Sequence, residues 1–126
     1  MIKSLKISIW GRDFSLPIVY DCYKGESVEQ SQIDALDAFI KHSEWIDKSQ
    51  KYVESFCENQ VMDDPANKKK DNIFSYVIPE CIFVKREKNL PRVALMCKYR
   101  YDLEHGLAVV FSSDGSIKVG LQDIIL

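Results

Sequence analysis

The sequence predicts an α+β domain: an antiparallel sheet, built from an N-terminal hairpin and a C-terminal meander, with one or two helices packed on one face. Three observations predict it. Apolar and polar residues alternate through the first twenty positions, the period of a half-buried strand. Between residues 28 and 59 the apolar positions recur every three to four residues, the spacing of a helical face. From residue 81 onward alternation returns, broken by turn-forming clusters. A block of strands, a block of helix and a second block of strands make an α+β order rather than a βαβ one.

Each element follows in chain order. Leu5, Ile7 and Ile9 alternate with Lys6, Ser8 and Trp10, and Gly11-Arg12-Asp13 reads as a turn. Phe14, Leu16, Ile18 and Tyr20 then alternate again, completing a hairpin. Pro17 lacks an N–H, which places the second strand at an edge or beside a bulge. Ser27 with Gln30 suggests a capping box for a helix starting near Val28. Ile33, Leu36, Phe39 and Ile40 form its apolar face. Trp45, Ile46, Tyr52, Val53, Phe56 and Cys57 form a second stripe, so residues 28–59 make two helices or one helix bent near His42. Leu36, Phe39, Ile40, Ile46, Val53 and Phe56 are the helical residues expected in the core.

Residues 62–72, with Asp63-Asp64-Pro65 and Lys68-Lys69-Lys70, read as a polar loop, the segment expected to move most. Residues 73–77 suggest a helical turn ending before Pro79. Strands are then expected at 81–87, 92–101, 107–111, 116–119 and 123–126, with Val93, Leu95, Cys97 and Tyr99 sharing a face. Asp114-Gly115 is the strongest hairpin signal in the chain.

With 126 residues and no internal repeat, residues 1–126 read as a single domain able to bury a core without metals or disulfides. Cys22, Cys57, Cys81 and Cys97 form no CxxC pair, and reduced, mostly core-facing thiols are expected. The first ten residues lack the continuous apolar stretch of a signal peptide, and no window has the roughly 18 apolar residues of a membrane span. A cytoplasmic location is the expectation. A net charge of -2 predicts no general affinity for nucleic acid or anionic membrane.

Catalytic patterns are scarce. The chain has two histidines, His42 and His105, and five scattered glycines that build no phosphate loop. Ser112-Ser113-Asp114-Gly115 is no GxSxG elbow. Asp102, Glu104 and His105 are the only close set that offers metal ligands or an acid–base pair, but they lack an anchored ligand spacing. A tight turn with Gly106 at positive φ accounts for them. No enzymatic activity, cofactor or metal is therefore expected.

Charge is distributed unevenly. From residue 21 to residue 64 there are eleven acids against four lysines, net -7; from 68 to 100 there are nine basic residues against three acids, net +6. The plainer account is a wetted helix face and, at Lys85, Arg86, Lys98 and Arg100, a wetted sheet face. The functional account is a dock for a basic partner.

Gln30 to Phe39 is similar to a Q-x-x-A-L-x-x-F helix of a family of small uncharacterised bacterial domains. The stretch Asp102-Leu103-Glu104-His105-Gly106, then Phe111, Asp114-Gly115, Val119-Gly120 and Asp123, resembles that family's closing D-x-E-H-G…F…D-G…V-G-x-x-D meander. Leu103 stands where many members have proline. The resemblance implies no activity, but it does imply a context: such acidic domains resemble immunity proteins of polymorphic or contact-dependent toxin systems. The resulting expectation is a non-enzymatic toxin inhibitor that binds a basic toxin domain, a nuclease, through Glu44, Asp47, Glu54, Glu58, Asp63 and Asp64. Two rivals stand beside it: a regulatory or adaptor module, and a small metal-binding protein centred on Asp102, Glu104 and His105. Which face binds, the toxin's activity and the oligomeric state are left open.

Overall fold

The computed structural model describes residues 2–60, 72–87 and 89–126. The expected mobile loop falls almost wholly on residues 61–71, so Asp63 and Asp64 lie outside the described residues.

The predicted fold class is the observed one. Six strands lie in the order β1-β2-β3-β4-β5-β6, formed by Ser4–Ile9, Arg12–Tyr20, Val77–Val84, Arg92–Tyr99, Leu107–Ser112 and Ile117–Leu121. Two helices, α1 (Gln30–Lys41) and α2 (Glu44–Gln60), separate β2 from β3. All neighbouring strands are antiparallel except β2 and β3, which run parallel through Ile18–Tyr20 and Ile82–Val84. A helical crossover is what a parallel pair requires, because a tight turn cannot reverse the chain twice. One parallel pair therefore joins the two antiparallel blocks, a junction that alternation patterns do not reveal.

The first hairpin turns at Trp10-Gly11, one residue earlier than predicted, with φ of 50° and 86°. Two positive φ values suit the twist of a two-residue hairpin. Trp10 is a bulky residue to find in that conformation. Its ring is buried, and its indole N–H donates to the Ser49 hydroxyl on α2 at 3.0 Å. Because β2 pairs with β3 over only three residues, the hairpin arm leaves the sheet and its tip reaches the helix layer. Pro17 sits opposite Ser4, just before pairing with β3 begins. Ile18 turns its N–H to Lys3 on the β1 side, so the alternation of the strand puts the missing donor of Pro17 on the unpaired side.

α1 starts later than the sequence suggests. The capping box is Glu29 with Gln32, not Ser27 with Gln30. Gln32 is fully buried: its amide oxygen accepts the Glu29 N–H, and its amide nitrogen donates to the carbonyls of Asp21 and Val84. Burying that amide rotates the inner stripe to Gln32, Ala35, Leu36 and Phe39. Ile40, expected in the core, is consequently exposed, as is Ile33 of the expected apolar face. The bend at His42 resolves into two separate helices. On α2 the inner positions are Trp45, Ile46, Ser49, Val53 and Cys57, while Phe56 is only half-buried and Tyr52 is 55% exposed. Ser49 takes the place in the stripe that an apolar pattern would not assign to it, because it meets the indole of Trp10.

The 3-10 turn Ile73–Ser75 is shorter than expected, and β3 already begins at Val77. A bulge between Pro79 and Cys81 lets the strand carry its proline. The final segment is a correction too: residues 123–126 form no strand, and Gln122–Ile124 is a 3-10 turn that leaves the sheet.

The front face of the sheet supports the helices. Val93, Leu95, Cys97 and Tyr99 share it as predicted, with Leu107, Val109 and Phe111 beside them. Phe39 of α1 meets Phe111 at 5.2 Å between ring centroids. The rear face holds a separate cluster, Ala94, Met96, Ala108, Val110 and Ile125. β5 is buried at all six positions, the mark of a strand covered on both faces. Among the described residues no helix is long and apolar enough to cross a membrane.

Candidate partner-binding face

α2 carries the four described residues expected to contact a partner. Glu44, Asp47 and Glu58 are exposed, and Glu54 is half-buried. At about 100° per residue, Asp47, Glu54 and Glu58 fall within about 40° of one another, and Glu44 about 40° further round. The stripe runs about 21 Å along the helix at about 1.5 Å per residue. The structure therefore brings the four acids onto one face, opposite the buried stripe. Lysines interrupt it: Lys51 falls within the same arc and Lys48 at its rim, each four residues after an acid.

The two ends of the stripe differ. At the N-terminal end, Glu44 accepts a hydrogen bond from His42 at 2.9 Å, and that bond lowers its pKa. The His42 ring in turn stacks on Trp45 at 4.5 Å. Acids in a first turn also meet the positive end of the helix dipole. Glu54 and Glu58 have neither advantage. They are like charges four residues apart, near the negative end of the dipole, in a helix with no basic residue in its last turn. Their charge is felt at Tyr76, whose phenol burial pushes up to about 12, with Cys57, Glu54 and Glu58 adding to the rise.

Other acids counted in the -7 segment are already satisfied within the fold. Arg86 contacts Glu29 at 2.9 Å and Glu26 at 3.3 Å, and donates to the Ser27 carbonyl at 3.0 Å. Lys85 pairs with Asp21 at 3.6 Å. These bonds tie the β2–α1 linker to the end of β3. Arg92 likewise holds Glu87. The sequence count of charge thus overstates the asymmetry at the surface: Lys85 and Arg86 neutralise part of the acidic half, while Lys98 and Arg100 remain exposed.

The Asp102–Gly106 segment is the tight turn its glycine predicts. Gly106 has φ of 63°, and its N–H donates to the Asp102 carbonyl at 2.9 Å. The Asp102 carboxylate accepts the His105 backbone N–H at 3.1 Å and faces His105 Nδ1 at 2.9 Å. The backbone bond, then the imidazole, lower the pKa of Asp102, and the same carboxylate raises that of His105. Glu104 is exposed and takes no part in these contacts. Among the described residues no three His, Cys, Asp or Glu side chains converge as metal ligands. The four cysteines are free, with Cys57 and Cys97 buried and Cys22 and Cys81 half-buried. Burial pushes the Cys97 thiol well up and raises Cys81.

Fold and surface together define an α+β domain with a helix layer on one side of a mostly antiparallel sheet and an acidic stripe along its second helix. Residues 2–126 match the domain of unknown function DUF6985, and the chain belongs to that family. No curated protein and no solved structure matches the chain.

Proposed function

We propose that this domain is a non-enzymatic binding protein of the cytoplasm that docks a basic protein partner on the outer face of α2, the partner being a toxin domain, a nuclease, that it neutralises. The observation that carries the docking site is the placement of Glu54 and Glu58. A helix selected for its own stability would carry a cation near its C-terminus and an acid–lysine pair four apart. Among the described residues, α2 has two acids there instead, outside the salt bridges that hold Asp21, Glu26 and Glu29. A basic partner would relieve both penalties at once. The toxin-neutralising role rests on the resemblance of the closing meander, and carboxylates opposite a basic active site offer the charge complementarity such inhibition needs.

The test pairs affinity with stability. The protein that co-purifies with the tagged chain from its native host is identified, then titrated against wild type and the Glu54→Lys, Glu58→Lys double variant. The expected partner is basic. Disrupting interfacial charge pairs costs about 2–5 kcal/mol, a loss of about thirtyfold or more in affinity. Surface reversals shift stability by under about 1 kcal/mol, so a melt on the same sample separates the two effects. Unchanged affinity with an unchanged melt would rule out this face.

A further inference from the structure

The hairpin turn between β5 and β6 joins two residues that react with each other in an open chain. In Asp114-Gly115 the glycine has no Cβ to shield its amide nitrogen from the preceding carboxyl. That nitrogen attacks Asp114 Cγ: an N–C bond forms, the carboxyl hydroxyl and the amide hydrogen leave as water, and a five-membered imide remains. Water then opens the ring at either carbonyl. Opening at the main-chain carbonyl routes the chain through the side chain and leaves an isoaspartate of unchanged composition. The carboxyl reacts as the neutral acid, because a carboxylate is a poor electrophile. Asp114 is exposed, so water has access to the turn.

The turn opposes each requirement of that reaction. The Gly115 N–H donates to the Ser112 carbonyl at 2.9 Å, which holds the hydrogen that attack must displace. The Asp114 carboxylate accepts two bonds from Ser116, one from its hydroxyl and one from its backbone N–H at 2.9 Å. Both donors favour the ionised form, and they hold the carboxyl below its usual range, the hydroxyl first. The backbone is pinned as well. The Ser112 N–H donates to the Ser116 carbonyl at 3.0 Å, and the Ser113 N–H ties the turn to the Pro91 carbonyl at 3.1 Å. We propose that Asp114-Gly115 is an isomerisation site kept closed by Ser116, and that its conversion reaches the start of α2 through Trp45. Gly115, at φ of 91°, lies under the Trp45 indole, where a Cβ would be 3.5 Å from Nε1. Isoaspartate adds a methylene to the backbone one residue earlier and takes that contact out of register. Trp45 is buried and stacks on His42, which holds Glu44. A lengthened turn therefore disturbs the first turn of α2.

Ageing the full chain at neutral pH, with isoaspartate at position 114 quantified by peptide mapping, tests the proposal. The folded wild type should convert more slowly than the same chain in denaturant, where no turn exists. Ser116→Ala removes the hydroxyl and leaves the N–H. Conversion of the folded variant should accelerate about tenfold, the effect of losing a hydrogen bond to a charged group. Ser116→Thr, which restores a hydroxyl, should return to the wild-type rate. In denaturant the three chains should convert alike, and a melt shows that each variant is folded before ageing. In the converted fraction the Trp45 indole resonance should shift, while that of Trp10, bonded to Ser49, stays in place. A folded wild type that converts as fast as the denatured chain would overturn the proposal. So would a folded Ser116→Ala variant that converts at the wild-type rate. An unmoved Trp45 resonance would overturn the link to α2.

Discussion

The two faces of the sheet are covered by different means. The front carries large side chains, Phe111, Tyr99, Leu95 and Leu107, under two helices that together supply Leu36, Phe39, Ile46 and Val53. The rear carries alanines and a methionine under one short turn that supplies Ile125. A thick layer buries its residues against many neighbours, so truncation leaves a void that cannot collapse. A thin cover can peel, so the cost of losing its anchor is limited by the cost of opening it. The comparison predicts that, although both faces of β5 are buried, the front contributes more to global stability than the rear.

Phe39→Ala should test this most severely. Phe39 is 1% exposed and packed at a tilt against Phe111, and the loss is expected at about 3–5 kcal/mol in a denaturant melt. On the rear, Ile125→Ala should cost about 2 kcal/mol, the low end for such truncations, because Ala94 and Ala108 lie under a cover free to readjust. Equal losses at the two sites would erase the distinction between the faces. Gly106→Ala sharpens it further: alanine there meets both a positive φ and the Gln122 side chain, for about 1–2 kcal/mol. Exchange protection should fall in residues 122–126 and stay unchanged in α1.

The smallest effect has the opposite sign. Glu58→Lys creates an acid–lysine pair with Glu54 in the favourable orientation and puts a cation at the helix C-terminus. Stability should rise by about 0.3–1 kcal/mol while partner affinity falls. A thermal melt that moved down instead would remove the reasoning that singles out this pair.

Much of the fold was legible because apolar period reports directly on which side of an element is dry. Both hairpin strands, the helical span over residues 28–59 and the shared face of Val93, Leu95, Cys97 and Tyr99 follow from it, while the turns at Gly106 and Gly115 follow from glycine chemistry. The misplaced helical side chains have one source. Ile33, Ile40 and Tyr52 lie outside because Gln32 and Ser49 lie inside, each buried with polar partners drawn from distant parts of the chain. A hydropathy pattern cannot anticipate a buried amide whose acceptors are 11 and 52 residues away. At the candidate site, the spacing of Glu44, Asp47, Glu54 and Glu58 was readable as one face, since helical geometry is local. That Arg86 would draw off Glu26 and Glu29 was not readable, since it depends on where β3 ends.

The sequence by itself determined what depends on neighbours within a few residues: the order of strand and helix blocks, the glycine turns of the C-terminal meander, and which acids share a side of α2. Tertiary structure alone decided the parallel pairing of β2 with β3, the reach of Trp10 to Ser49, and the folding of Ile125 onto the rear face. It also turned 123–126 from an apolar run that reads as a strand into a cover. The physical reason is the same in each case. An apolar segment gains by leaving water wherever a fitting surface exists. For residues 122–126 that surface, Ala94 and Ala108 with room made by Gly106 and Gly120, exists only once the sheet has formed.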